Sequence, residues 1–185
     1  MTFTRIATFL FLTVLLGVFG LYFTHRIKNA PVVPIAVGTV DAKDVQNASY
    51  KIEGTEVALV DGVSAVPLEG TSATTTTRSF GNEAVGDLNG DSKDDVAFIL
   101  TQSTGGSGTF YYLAVALRTD TGYKGINTLL LGDRIAPQTT EIKNGEVVVN
   151  YAVRAEGEPM ATKPSVGVSL YAKIINGILA QTAAH

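Results

Sequence analysis

A chain of 185 residues with 45% apolar content, a formal net charge of −3 and no cysteine is long enough for one well-packed domain. The missing cysteine excludes disulfides, thiolate metal sites, a cysteine nucleophile and a lipid-bearing cysteine. With His25 and His185 as the two histidines, serine triads and histidine-ligated zinc are excluded as well, and the acidic balance argues against nucleic acid as a partner.

The first element is the uncharged run from Ile6 to Phe23. As a helix of 18 residues it spans roughly 27 Å at about 1.5 Å per residue, close to the roughly 30 Å hydrocarbon layer of a bilayer. Bulky and charged residues follow (Tyr22, Phe23, His25, Arg26, Lys28) and no small-x-small cleavage site, so residues 1–29 read as an uncleaved signal-anchor and the membrane as its partner. Residues 30–48 hold Pro31 and Pro34 without sustained periodicity and read as a stem; residues 49–185 form the domain. Flanking charge does not decide orientation, because Arg5 stands on one side and Arg26 and Lys28 on the other. An acidic domain with a candidate calcium loop belongs outside the cytoplasm, where that ion is plentiful. The expected location is therefore the bacterial cytoplasmic membrane, single-pass, with the domain in the periplasm or at the cell surface.

From Ser49 onward the punctuation is that of a β protein. YKI and TEVALV are followed by the turn signal Asp61-Gly62 and by VSAV. Thr74 to Phe80, Val96 to Gln102 and Thr109 to Arg118 are strand candidates, the last two joined by a glycine-rich loop at 103–108. Asn144-Gly145 predicts a hairpin between TEIK and EVVVNYAV, and Asn176-Gly177 another between VGVSLYAKI and ILA, since Asn-Gly supplies the positive φ angles of a tight primed turn. No segment predicts a long helix. The expected fold is mainly β, one antiparallel domain built as a sandwich or an open barrel.

The stretch GDLNGDSKDDVA carries the densest charge. With Asp87 as position 1, Asn89 falls at 3, Asp91 at 5, Lys93 at 7 and Asp95 at 9. Alternate oxygens aimed inward, with the Lys93 carbonyl among them, suit calcium, which takes roughly six to eight oxygen ligands at about 2.3–2.6 Å. A divalent ion would also relieve the mutual repulsion of Asp87, Asp91, Asp94 and Asp95. Phe98 stands where an EF-hand has its bidentate glutamate, and the flanks read as strand, so an EF-hand is excluded.

The longer stretch SFGNEAVGDLNGDSKDDVAF resembles one FG-GAP unit, the calcium-loop repeat of integrin-type propellers, with a dockerin-like D-x-N-x-D core. The resemblance covers about twenty residues and implies calcium at Asp87, Asn89, Asp91 and Asp95. It does not imply a propeller, because one such unit occurs and propellers need several. Ser92 stands where that family usually has glycine. The same stretch is similar to a group of small exported bacterial envelope proteins.

Other candidates are thinner. Glu156 and Glu158 alternate in AEGEPM and would be the carboxylate pair of an envelope hydrolase acting on a glycan, the alternative to a non-catalytic module. Asp133 and Arg134 form either a capped turn or part of a ligand face. Tyr111 and Tyr112 face opposite sides of a strand, so one of them, with loop 103–108, is the expected contact for an envelope protein or glycan.

Overall fold

The computed structural model describes residues 44–183. The run 6–23, the stem as far as residue 43 and both histidines lie outside the described residues. Among the described residues the chain is strand and turn, with one short 3-10 helix, Val45–Asn47, whose first turn is capped by the Asp44 carboxylate on the Gln46 amide.

Strands β1 (Ser49–Ile52) and β2 (Thr55–Ala58) form a two-stranded hairpin. A six-stranded sheet runs in the order β3 (Val63–Pro67), β4 (Thr74–Gly86), β5 (Asp95–Ser103), β6 (Phe110–Arg118) and β7 (Tyr123–Gly125), with β8 (Leu129–Asp133) also paired to β6. A four-stranded sheet has the order β12 (Ile178–Thr182), β11 (Val166–Ile175), β10 (Glu146–Val153) and β9 (Ala136–Lys143). Every strand pair is antiparallel, as expected.

Strands β5 and β6 read as near-continuous apolar runs because both of their faces are covered. On one face Ala97, Ile99, Leu113 and Val115 pack against Val147, Val149, Leu170 and Leu179 of the four-stranded sheet. On the other, Phe98, Leu100 and Ala114 pack beneath Val45, Tyr50, Ile52 and Leu59. The period-2 alternation of a strand sends neighbouring residues to the two cores. The architecture is a sandwich of two sheets with the hairpin laid over the outer face of the larger one.

The Asn144-Gly145 and Asn176-Gly177 hairpins form, with φ of +53° and +69° at the first and +53° and +76° at the second. Two boundaries differ from the sequence reading. Val45 and Ala48 are 8% and 3% exposed, so residues 44–48 belong to the packed body and not to the stem, their small apolar side chains completing the second core. Asp61-Gly62 does turn the chain, but Val60 pairs with Val63 alone, after which β2 and β3 part into different sheets. The hairpin from β1 to β2 instead turns at Glu53-Gly54, at φ +49° and +85°. Glutamate carries little turn signal; here the Tyr112 hydroxyl donates to its carboxylate at 3.1 Å and holds it.

Gly125 sets how closely the hairpin approaches the sheet. A Cβ there would lie 2.1 Å from the Ser49 carbonyl oxygen and 2.7 Å from the Tyr50 ring. Gly125→Ala is expected to lower stability by about 2 kcal/mol or more through overpacking. Gly106→Ala, whose Cβ would meet nothing within 4 Å, is expected to be nearly neutral. Urea unfolding of both variants checks this, and equal losses would show that the close approach carries no cost.

Candidate functional site

The acidic loop connects β4 to β5. Its side chains fold back onto its own backbone. Asp87 accepts from the amides of Gly90 at 2.7 Å and Ser92 at 2.9 Å, Asn89 accepts from Asp91 N at 2.9 Å, and Asp91 accepts from Lys93 N at 2.9 Å. These are short side-chain-to-backbone turns of the kind Asp and Asn favour. Gly90 and Ser92 both have positive φ, +80° and +64°, so the strain expected of a serine in a glycine position is present in the backbone. The Lys93 ammonium leaves the loop and pairs with Asp120 at 2.6 Å.

Asp95 plays a different part. It is fully buried at the start of β5, and its two oxygens accept from Leu88 N at 2.9 Å and from Arg118 N at 2.8 Å. One carboxylate thus ties the loop to the end of β6. Burial pushes its pKa up, opposed by those two amides, and the nearby charges of Asp91 and Asp87 push the same way as burial. Asp87 shifts the other way, held below the ordinary carboxylate range chiefly by the Ser92 amide and also by Gly90.

The donor set is therefore all oxygen, as a hard cation requires. Asp87, Asn89 and Asp91 share one small exposed turn, while Asp95 is turned inward to backbone amides. Among the described residues no three acidic or histidine side chains converge as a metal cluster.

The remaining candidates fall apart spatially. Tyr112 is 2% exposed and belongs to the core, with its hydroxyl on Glu53 and its pKa pushed up to about 12 by burial, so it is not a surface contact. Tyr111 is half-buried on the opposite face and meets the exposed Phe80 edge-to-face, ring centres 5.5 Å apart. Glu158 accepts from Ala155 N at 2.9 Å, which closes a turn, and Glu156 is exposed. Asp133 and Arg134 form an ion pair at 2.8 Å that lowers the Asp133 pKa, and Arg134 sits at φ +48°. Sequence reasoning missed Arg154, which donates to the carbonyls of Thr162 and Arg134 and so fastens the loop after β10 to the turn between β8 and β9. It also missed the Leu88 and Arg118 partners of Asp95, since backbone amides leave no compositional trace. No protein-family model matches the chain, and neither the curated proteins nor the solved structures yield a match.

Asp95 supplies a signed pH dependence. A carboxyl whose pKa is raised on folding binds more protons folded than unfolded, so its contribution to stability is fullest below the ordinary value of 3.8 and declines as pH rises through the folded value. Asp87, lowered on folding, contributes above the ordinary value and loses that contribution as pH falls through its folded pKa. Asp95→Asn leaves one of the two amides without its acceptor at a cost of about 1–3 kcal/mol. In chelator-treated samples the stability advantage of the native chain over Asp95→Asn is expected to shrink from acid to neutral pH. An advantage that grows with pH in urea titrations would contradict the buried, raised carboxyl.

Proposed function

We propose that the chain is a membrane-anchored, extracytoplasmic module of the bacterial envelope that holds or binds a partner, and whose β domain is stabilised by calcium at the loop between β4 and β5. The observation that carries the reading is the turn itself. Asp87, Asn89 and Asp91 occupy alternate positions of a closed loop with positive φ at Gly90 and Ser92, a shape held by their contacts with the loop's own amides. The FG-GAP-like spacing supports the same assignment. Asp87, Asn89 and Asp91 would hold the ion by side-chain oxygens, Lys93 by its carbonyl, and Asp95 either directly or by anchoring the loop through Leu88 and Arg118. Calcium would supply charge neutralisation and rigidity there. The apolar run Ile6 to Phe23 supports the anchor, and the acidic balance beyond it supports an extracytoplasmic domain.

An extracellular-type site has a Kd on the order of 10⁻⁴ to 10⁻³ M. At tenfold excess over Kd, calcium is expected to add about 1.4 kcal/mol, a rise in Tm of roughly 3–6 °C for a domain of this size. Melting with calcium and with chelator checks it. Equal melting temperatures, or a shift that survives in Asp91→Ala, would sink the metal assignment.

The topology has its own test. Protease added to intact spheroplasts is expected to digest residues 49–185 while a cytoplasmic marker survives. Survival of both would place the domain on the inner side.

A further inference from the structure

Beside β4 lies an open groove of about 260 Å³ that the acidic loop does not touch. Its floor is Gly62, which is buried at φ +77° and whose backbone is pinned from both sides: its amide donates to the Gln46 carbonyl at 2.8 Å and its carbonyl accepts from Ser79 N at 2.7 Å. A Cβ on Gly62 would lie 3.2 Å from Gln46 Oε1 and 3.3 Å from Ser79 Cβ, filling the floor.

The far wall is made by an irregularity in β4. The register against β5 shifts between Ser79 and Gly81 and again between Gly81 and Ala84, and Gly81 and Asn82 take φ of +96° and +58°. Asn82 is held there by its amide on Thr140 Oγ1 at 3.2 Å. Bulges of this kind re-aim side chains. Here Phe80 lines the groove, is left 50% exposed, and meets Tyr111 edge-to-face. On the near side Asp61 takes φ +50°. Two non-glycine residues in the left-handed region thus flank one groove, where backbone strain is commonly tolerated for a site.

Five polar side chains line it: Gln46, Asp61, Arg78, Ser79 and Glu83. Among the described residues no hydrogen bond or ion pair occupies the Gln46 amide, the Asp61 carboxylate, the Arg78 guanidinium or the Glu83 carboxylate, although opposite charges share the groove. Two carboxylates against one guanidinium disfavour an anion. Planar donor and acceptor groups suit adjacent hydroxyls, and an aromatic ring suits the apolar C–H face of a sugar. The volume lies just below that of drug-sized pockets, enough for one ring of a longer chain.

We propose that this groove binds one ring of an uncharged saccharide, with Arg78, Asp61, Glu83 and Gln46 on its hydroxyls and Phe80 against its C–H face. This rests on the binding half of the function proposed above and gives the partner a chemical class, a neutral glycan. It is independent of calcium.

The test uses the full-length chain in a sugar-free detergent and titration calorimetry with two neutral probes, chitotriose and maltotriose. At least one is expected to bind saturably. Arg78→Ala is expected to weaken it about tenfold and Phe80→Ala about fivefold, while Lys163→Ala, in the exposed loop after β10, leaves it unchanged. Melting temperatures close to the native value identify variants that have kept their fold; Gln46→Ala and Glu83→Gln, both at exposed positions, serve as replacements if either does not. Absence of binding to both probes by the folded native chain overturns the proposal, as does full-strength binding in the folded groove variants. The calcium reading fails separately, in the melting experiment, and sugar binding with no calcium-dependent shift in Tm would sink that reading alone.

Discussion

The rest of the structure depends on one constraint: the β5–β6 ladder is buried on both faces. A strand pair with a single apolar face needs one covering layer. A pair with Ile99 and Leu113 on one side and Phe98 and Ala114 on the other needs two. The four-stranded sheet supplies the first layer and the hairpin with the 3-10 turn supplies the second. The edge-to-face contact of Tyr50 on Phe98, at 5.4 Å, seats the hairpin, and the Tyr50 hydroxyl donates to the Val45 carbonyl at 2.6 Å, so the chain entering the domain is fastened by the same residue. Aromatic contacts of this geometry add about 0.5–1.5 kcal/mol beyond the area they bury.

The layers are then joined by a few polar side chains acting on backbone. The Asn127 amide both donates to the Leu179 carbonyl and accepts from the Leu179 amide, each at 2.8 Å, so it substitutes for a neighbouring strand along β12. The flanking residues Ile126 and Thr128 exchange backbone hydrogen bonds with Lys51, which brings the hairpin to the same point. Asp95 does equivalent work at the start of β5, joining the acidic loop to the end of β6. The edge of the larger sheet at β3 is kept from pairing with other chains in the way edge strands usually are: the Val63 amide and carbonyl are spent on Val60, and Pro67 has no N–H to offer. The ladder is interrupted at the acidic turn between β4 and β5 and at the bulge in β4.

Much of the fold was legible because its signals are local. Asn-Gly at 144–145 and 176–177 dictates hairpins almost irrespective of surroundings, and the runs in β5 and β6 have no other use than burial. Asp61-Gly62 turned the chain without making a hairpin, since a dipeptide specifies its own dihedrals and not the partner of the strand that leaves it. Glu53-Gly54 made a hairpin without a strong signal, because Tyr112, distant in sequence, stabilises the glutamate. The acidic loop was legible as a closed turn of oxygen donors. The inward turn of Asp95 was not, for its partners are main-chain amides.

By itself the sequence determined the class of fold, the places where the chain reverses and the all-oxygen character of the loop at 87–95, because each follows from residue types within a few positions of one another. Which of two adjacent tyrosines is buried, which face of a double-sided strand meets which layer, and whether residues 44–48 belong to the body were decided by tertiary structure. So was the groove over Gly62, whose lining comes from residue 46, from 61–63, from 78–81 and from residue 83. No local pattern links those segments; the pairing of β3 with β4 and the packing of the 3-10 turn beside them do.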